Sequence, residues 1–382
     1  MDEPPPEAKN PGSKARPPSA ATLMVALWRA LQPWAGRAVF LTVLFMSGLA
    51  FYMKYHAESN LLSVFLAYLP SWVMALPMAA ALILAGLFAC WRAALSCVIA
   101  TVIIIGWLGG ASLRWGAGIA EKGAADCLSV LTYNRGQGSE KVLTDFAEGA
   151  RLDIAVFQDA ARRLPQIKAL PQFASHVFHT VNGEFILLSK WPVLEDQPLL
   201  LTWPGSPKGV CSAGTRSIIN WGGRHVAVYN IHLPTPRDLL SWYSQRGTFL
   251  YGILGLVPHT PLYHMHQKYV ATWAARVSLV EQLVARVRAE NVPVVLLGDL
   301  NLPPLGKAYH LLSGLLQDVH DAAGVGFGHT FPGNMTSVLR LFSPWIRIDH
   351  VFASSHWKGI SCSVSQGARS QHLPVRAVLQ LR

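Results

Sequence analysis

Hydrophobic residues are concentrated in one stretch of the first third of the chain. Between residues 38 and 113 the only formal charges are Lys54, Glu58 and Arg92. Apolar runs fill this stretch at residues 38–53, 61–91 and 93–113. A helix that spans a bilayer needs about 20 mostly apolar residues, and these runs lack the polar face of a soluble core helix. The pattern therefore predicts a transmembrane region over residues 38–113 with about three helices.

Prolines and flanking residues refine the ends of these spans. Pro70 and Pro77 interrupt the second run, so we predict that its span starts near Ser71 and that residues 61–70 lie at the membrane surface. The first run is short, and the preceding apolar residues Trp28 and Leu31 could extend it through the interface.

Residues 1–37 form a Pro-rich basic tail whose first half is predicted to be disordered. Basic residues before the first span favour a cytoplasmic N-terminus. Three crossings then place everything after Leu113 on the extracytoplasmic side, although Arg114 and Lys122 weakly oppose this orientation. The chain is expected to be an integral membrane protein.

After a linker at residues 114–125 the pattern changes to short β-rich runs that alternate with helix-like stretches. The predicted buried strands are residues 127–133, 154–157, 185–188, 217–220, 225–231, 292–297, 348–352 and 375–381. Apolar residues at helical spacing predict a helix over residues 277–287. Residues 126–382 are therefore predicted to form one α/β domain with a large core.

Composition and charge narrow the class of protein further. The chain is 51% hydrophobic and 14% charged, with a mean hydropathy of +0.30, whereas ordinary soluble domains carry about 25% charged residues. These values exclude a disordered chain. The net charge of +11 suggests an anionic partner, such as nucleic acid, anionic lipid or a phosphorylated substrate.

The five cysteines show no CxxC or Cys/His zinc spacing. Cys127, Cys211 and Cys362 lie in the α/β region. An exported domain could pair two of them, and the sequence does not decide which pair.

Polar residues collect where the predicted strands end, which is where α/β folds place functional groups. They are Asn134, Gln158, Asp159, His232, Asp299, Asn301, Asp349, His350, Gln371 and His372. Such oxygen-rich sets suit a hard cation like Mg²⁺, and histidines suit phosphate binding and proton transfer. Each residue alone also fits a structural role, such as a helix cap for Asp299.

The order of these residues along the chain resembles the endonuclease/exonuclease/phosphatase superfamily. The segments that carry the resemblance are LTYN (131–134), IAVFQD (154–159), GEFILLSKWPV (183–193), NIHL (230–233), LLGDLN (296–301), GHTFP (328–332), RIDHVF (347–352) and SQHLPV (370–375). The resemblance covers about residues 126–382. It implies a four-layer α/β/β/α sandwich with the site at one edge of the two packed sheets.

The resemblance also implies metal-assisted attack of water on the phosphorus of a phosphate ester, with Mg²⁺ or Mn²⁺ as the metal. The implied metal-binding residues are Asp159, with Asn134 beside it, and Gln371. The implied catalytic residues are His232 at the scissile phosphate, Asp299 on the attacking water, Asn301 on that water or a phosphate oxygen, His372 as the second phosphate-side histidine, and Asp349, which fixes its tautomer.

Two departures from the family pattern bear on the metal. Asp159 stands where the family usually has Glu, and Gln371 stands where the family has Asp. A carboxamide oxygen can coordinate a metal but brings no charge, so metal affinity should fall. An alternative is a degenerate, non-catalytic member that only binds phosphate at the membrane.

The expected function is a membrane-anchored phosphodiesterase or phosphatase, with a lipid phosphate favoured as substrate and a nuclease acting on DNA or RNA as the alternative. A membrane anchor raises the effective concentration of lipid headgroups. The insertion between His232 and residue 277 is apolar and aromatic, with Trp242, Tyr243, Phe249, Tyr251 and Tyr263. Such a loop suits an interfacial enzyme, and it suits a cover over the core or a contact with the spans equally well.

Overall fold

Apolar helices make up the described part of the first third of the chain. The computed structural model describes residues 19–113, 126–136, 151–204, 206, 208–236, 254–333, 343–365 and 370–382. The helices of the first third are α1 (Ala20–His56), α2 (Leu61–Tyr68), α3 (Ala75–Leu87) and α4 (Trp91–Leu108). By length and hydropathy α1 and α4 could each cross a membrane, and α2 forms with Ser71–Leu87 a pair bent by 111°. The described residues thus contain two candidate spans, or three if the bent pair is one span.

Helix α1 begins at Ala20, well before the predicted start of the membrane region at residue 38. Residues 20–37, which were assigned to the tail, are therefore helical. This stretch is rich in Ala and Leu, which favour a helix, and carries only Arg29 and Arg37 as charges, and the helix continues through Pro33 and Gly36. Residues 1–18 of the predicted tail and the linker at 114–125 lie outside the described residues.

Local hydrogen bonds fix the start of α2. The Asn60 side chain accepts from the backbone N–H of Ser63 at 2.9 Å, and the Ser63 hydroxyl lies 3.2 Å from the backbone N–H of Asn60. This reciprocal capping box satisfies amides that a helix start leaves unpaired. The helix ends before Leu69, which is extended, because the residue that precedes a proline avoids the helical conformation.

Contacts between residues divide the chain into two compact units. The smaller unit falls within Met1–Met46 and Leu76–Thr101, and the larger unit within Ser47–Ala75 and Val102–Arg382. In the smaller unit Trp28 and Gln32 donate to the carbonyl oxygens of Leu87 and Phe88, at 2.9 and 3.0 Å. These bonds satisfy carbonyl groups that the end of α3 leaves open.

Strands and helices alternate in the larger unit. The strands are β1 (Ser112–Leu113), β2 (Cys127–Asn134), β3 (Ile154–Gln158), β4 (Phe178–Asn182), β5 (Phe185–Ser189), β6 (Val193–Thr202), β7 (Val210–Trp221), β8 (Arg224–His232), β9 (Val294–Asp299), β10 (Gln317–Asp318), β11 (Val325–Gly326), β12 (Asp349–Ala353), β13 (Trp357–Val364) and β14 (Val375–Leu381). The helices are α5 (Leu164–Lys168), α6 (Tyr263–Arg288), α7 (Lys307–Ser313) and α8 (Val319–Ala323).

Two six-stranded sheets form the centre of this unit. One sheet has the order β10-β12-β9-β8-β7-β6 and the other the order β13-β14-β2-β3-β5-β4. Buried residues of both sheets, among them Val130, Val156, Val228 and Leu297, belong to one core cluster. Helix α6 packs on the outer face of the first sheet and α5 on that of the second, which confirms the predicted α/β/β/α sandwich.

Most predicted strands and helices are present in the structure, but their first or last residues differ from the predicted ones. The predicted strand at 217–220 is the centre of the longer β7, and the predicted helix at 277–287 is the C-terminal half of α6. The strand predicted from residue 292 starts at Val294. Cys90, Cys97, Cys127, Cys211 and Cys362 are all free thiols in the structure, so none of the possible pairings of Cys127, Cys211 and Cys362 is formed.

The directions of the strands bring the strand ends that carry the predicted site residues to one edge of the two sheets. Strands β2 and β3 are parallel in one sheet, and β8 and β9 are parallel in the other. Asn134, His232 and Asp299 are the last residues of β2, β8 and β9. Strand β12 runs antiparallel to β9 and places Asp349 opposite Asp299. One edge of the two sheets therefore collects residues from four strands.

A buried ion network lies beside that edge. The Arg347 guanidinium, 2% exposed, lies 2.6 Å from Asp318 and 2.7 Å from Asp321. The Tyr309 hydroxyl donates to Asp318 at 2.8 Å. The Arg347 charge holds the pKa of Asp318 far below its usual range, against the opposing effect of burial.

Arg347→Met should destabilise the fold strongly, because it leaves the carboxylate of Asp318 buried without a counter-charge. We expect the free energy of unfolding to fall by about 3–5 kcal/mol, measured by guanidinium unfolding of the full chain in detergent. The matched control is Arg224→Met, since Arg224 pairs with Asp126 at the surface and such pairs contribute about 0–1 kcal/mol. Equal losses in the two variants would contradict a stabilising role for the buried network.

Candidate active site

The carboxylate of Asp299 lies at the centre of the candidate site. Asp299 is 1% exposed. Its Oδ2 accepts a hydrogen bond from the Asn134 side chain at 2.8 Å, and its Oδ1 accepts from the backbone N–H of Asn301 at 3.0 Å. Burial raises the pKa of Asp299, while the nearby histidines oppose this effect. The result is a buried carboxyl group held in one orientation.

The tetrapeptide GDLN, residues 298–301, has backbone constraints that explain its sequence. Gly298 has φ +148°, and a Cβ there would collide with the carbonyl oxygen of Ile231 on the neighbouring strand. Asn301 has φ +51°, a left-handed conformation that Asn tolerates better than most residues. Its side-chain Nδ2 donates to the Leu233 carbonyl oxygen at 3.0 Å. The two strand-end loops are thereby joined.

Two histidines lie on either side of Asp299. His232 Nε2 is 3.5 Å and His372 Nε2 is 3.7 Å from Asp299 Oδ2. Each ring has another carboxylate at Nδ1, which is Glu184 for His232 and Asp349 for His372, both at 2.9 Å. Glu184 with His232 and Asp349 with His372 thus form two carboxylate–imidazole pairs. The imidazole of each pair lies beside the Asp299 carboxylate.

The carboxylates control the protonation of both rings. Burial lowers the pKa of His232, but Glu184 and Asp299 outweigh it and raise the pKa to about 9. For His372, burial is likewise outweighed by Asp349 and Asp299, and the pKa rises to about 9. Both rings are therefore imidazolium cations at neutral pH, which suits contact with an anionic group.

A second carboxylate cluster lies next to His232. One ligand atom each of Asp159, Glu184 and His232 lies within 4.8 Å of the others, and the same holds for Asp299, Asp349 and His372. The first group is half-buried and the second is fully buried. Two carboxylates this close repel each other unless a cation or a proton lies between them. The half-buried group fits a hydrated Mg²⁺ better, because this ion keeps several of its waters.

Glu184 is a residue that sequence reasoning missed. It follows Gly183 (φ +64°) in the turn between β4 and β5, and its carboxylate contacts His232 on the other sheet. Asp159, just after β3, has φ +49° and also interacts with Glu184. The only sequence signal for Glu184 is its place in GEFILLSKWPV, one of the segments that resemble the superfamily.

The predicted site residues share one cavity of about 690 Å³. Its polar lining includes Asn134, Asp159, His232, Asp299, Asn301, Gln371 and His372. Gln371 is exposed at this cavity, and Asp349 lies behind His372. The apolar lining includes Phe65, Leu69, Phe331, Trp345, Ile346 and Ile348.

Two of the polar residues collected from strand ends have structural roles instead. Gln158 donates to Asn230 Oδ1 at 2.7 Å within the core between the sheets. His350 Nε2 lies 2.8 Å from the Leu302 carbonyl oxygen, and its ring packs beside the Asp318 network. Neither side chain lines the cavity. Burial of an amide or imidazole requires such partners.

The chain matches a family model described as the Endonuclease/Exonuclease/phosphatase family over residues 138–372. No curated protein sequence matches the chain.

Solved structures with a related fold include an endonuclease/exonuclease/phosphatase from Bacteroides vulgatus (16% identity, 67% of this chain and 99% of that chain, TM-score 0.48). Another is sphingomyelinase C from Streptomyces griseocarneus (18%, 66% and 99%, TM-score 0.43). A third is a mutant beta toxin from Staphylococcus aureus with bound magnesium ions (13%, 65% and 98%, TM-score 0.42).

Asp349→Asn should lower the pKa of His372, because it removes the charge that chiefly raises it. We expect a fall of about one to two units from the wild-type value, so that the ring loses its proton at a lower pH. A histidine-selective NMR titration of the full chain in detergent, without divalent metal, measures this. The control Asp126→Asn changes a surface carboxylate paired with Arg224 and should leave the titration unchanged. An unshifted His372 in Asp349→Asn would contradict the pairing.

Proposed function

Because the chain belongs to the endonuclease/exonuclease/phosphatase family, we propose that it is a membrane-anchored, metal-dependent hydrolase of phosphate esters that acts on a lipid phosphate. The observation that carries the hydrolytic part is the buried Asp299 carboxylate between two imidazoles, each backed by a second carboxylate. Membership of this family points to phosphoester hydrolysis in general.

The proposed reaction follows from the charges of these groups. The imidazolium rings of His232 and His372 bind oxygens of the substrate phosphate and stabilise the charge that develops on them. Asp299 accepts a proton from the attacking water, and its raised pKa makes it a stronger base. Asp349 holds the His372 ring in one tautomer through Nδ1. Asn301 holds the water or a phosphate oxygen.

Asp159 and Glu184, with Asn134 and Gln371 nearby, are the residues that would hold Mg²⁺ or Mn²⁺. Their oxygen atoms are the donors that such a hard cation prefers. When bound, the cation neutralises charge on the phosphate and its leaving oxygen. Glu184, which was not among the implied metal-binding residues, supplies a further carboxylate that would compensate in part for the uncharged Gln371.

The apolar part of the molecule supports a lipid substrate. Helices α1 and α4 could cross a membrane, and the apolar side chains of Phe65, Leu69, Phe331 and Trp345 are among those that line the cavity. We further propose that the N-terminus is cytoplasmic and the hydrolase domain extracytoplasmic. Much of the aromatic insertion that suggested an interfacial enzyme, residues 237–253, lies outside the described residues. Leu254, Leu256 and Val257, which follow it, are each more than half exposed.

A substrate screen of the full chain in detergent tests this function. Lipid monophosphates, diphosphates and phosphodiesters, nucleotides, plasmid DNA and RNA are each offered with Mg²⁺ or Mn²⁺, with and without EDTA. We expect hydrolysis of a lipid phosphate that EDTA abolishes and that His232→Ala lowers by about 100-fold or more. The control His179→Ala removes an exposed histidine of edge strand β4 and should retain activity.

Other outcomes of the screen assign other functions. Hydrolysis of DNA or RNA with all lipids untouched would replace the lipid substrate by a nucleic acid. If no substrate is hydrolysed with either metal, the result would favour a non-catalytic phosphate-binding protein. This is the alternative that Gln371 raises.

Gln371→Asp should strengthen metal binding, because it adds a negative charge at the cavity. We expect the Mg²⁺ concentration for half-maximal activity to fall about tenfold, which corresponds to about 1.4 kcal/mol. The matched control Gln197→Asp adds the same charge on an exposed position of edge strand β6. An equal effect of both substitutions would show that general surface charge, rather than a ligand, sets the metal requirement.

A further inference from the structure

The segment between α1 and α3 is built into the same compact unit as the candidate active site. Val64 of α2 belongs to the core cluster that includes Trp273 and Leu283 of α6. The ring of Tyr68 packs edge-on against Trp273, with centroids 5.9 Å apart. Short apolar helices gain their stability from such packing, so α2 is held in a defined position.

A buried carboxylate at the start of this segment adds a second attachment. Glu58 is 7% exposed, and its Oε2 accepts from the backbone N–H of Ala308 at 2.9 Å, in the first turn of α7. Negative charge at a helix start is favourable because the amides there are unpaired. A Cβ on residue 306 would lie 2.6 Å from Glu58 Oε1, so Gly306 leaves room for this carboxylate.

Tyr68 connects α2 to the loop after β9, which contains Asn301. Its hydroxyl donates to the carbonyl oxygen of Asn301 at 2.8 Å, and Arg276 of α6 donates to the same oxygen at 3.3 Å. Asn301 is the left-handed residue whose amide orients Asp299. The position of α2 is therefore fixed relative to the groups that surround the phosphate site.

On its cavity side, α2 presents apolar side chains next to the polar groups of the candidate site, and these side chains form an apolar wall. Phe65 and Leu69, both half-buried, line the cavity beside Tyr68. Phe331, Trp345 and Ile346 extend the apolar lining. An anionic phosphate alone is bound by charged and hydrogen-bonding groups. This cavity also offers an apolar surface to whatever group is attached to the phosphate.

We propose that Phe65 and Leu69 are specificity-determining residues that bind the hydrocarbon part of a lipid whose phosphate lies between His232 and His372. The inference rests on the proposed phosphate-ester hydrolysis and names the feature of the substrate that this site selects. The occupant is a lipid because the wall is formed by a helix that apolar helices flank directly in the sequence.

A chain-length series on soluble substrates tests the wall without a membrane. The full chain in detergent is given alkyl p-nitrophenyl phosphates with methyl, hexyl and decyl groups, and the matching alkyl monophosphates. We expect kcat/KM of the wild type to rise with chain length and that of Phe65→Ala/Leu69→Ala to stay flat, a loss of at least about tenfold on the decyl ester. Activity on the methyl ester, which has no long hydrocarbon chain, should fall much less than activity on the decyl ester.

Matched variants separate binding from folding. Leu62→Ala changes an exposed leucine of the same helix that does not line the cavity, and it should keep the chain-length dependence. Phe65→Leu retains an apolar side chain and should restore most of it. Thermal unfolding of each variant identifies any that fails to fold, in which case the single variants Phe65→Ala and Leu69→Ala carry the comparison.

The outcomes distinguish this inference from the proposed function. If the wild type hydrolyses methyl and decyl esters equally well, the apolar wall does not select the substrate, although the hydrolase function stands. If Phe65→Ala/Leu69→Ala loses activity equally on all chain lengths, the wall is structural and the inference is wrong. If the wild type hydrolyses none of these esters with any chain length, the proposed function is wrong and the inference that rests on it is wrong as well.

Discussion

Burial of the Asp299 carboxylate is the constraint on which the rest of the site depends. A charge removed from water is costly unless hydrogen bonds and opposite charges surround it. Asn134 and the amide of Asn301 donate to its oxygens, and His232 and His372 lie beside it. These partners come from strands of both sheets and from the loop before β14, so the packing of the two sheets and the protonation of the site depend on each other.

A second set of bonds fixes the loops that follow the strands. Arg276, 4% exposed on α6, donates to the carbonyl oxygens of Pro234 and Asn301. The Asn301 side chain donates in turn to Leu233. The loops after β8 and β9 are thus tied to each other and to one buried cation. An arginine serves this purpose well because its guanidinium keeps its charge when buried and donates in several directions.

How far the sequence predicts this site depends on how local each signal is. Asn134, Asp299 and Asp349 adjoin strongly apolar strands, so their places at one sheet edge follow from the strand pattern and the order of motifs. Glu184 contacts a residue 48 positions away on the other sheet, and no local pattern encodes that contact. Strands β4, β6 and β13 were not predicted because they are sheet edges in which most residues are not fully buried. The cavity wall formed by α2 was missed for a similar reason, since an apolar helix beside candidate membrane spans has the same sequence pattern whether it contacts lipid or protein.

The packing of α2 against α6 also determines which contacts a shorter fragment of this protein would lose. A fragment that begins at Asp126 would contain every strand of both sheets, yet it would lack the side chains that cover Trp273 and Val277 on α6. It would also lack the hydroxyl group that bonds to Asn301 and the carboxylate at the start of α7. A proteolytic or recombinant fragment of the sandwich alone would therefore lose these contacts. The core of the sandwich includes Val64 of α2, and the loop after β9 is bonded to Tyr68, so the two six-stranded sheets and the segment between α1 and α3 form one structural unit.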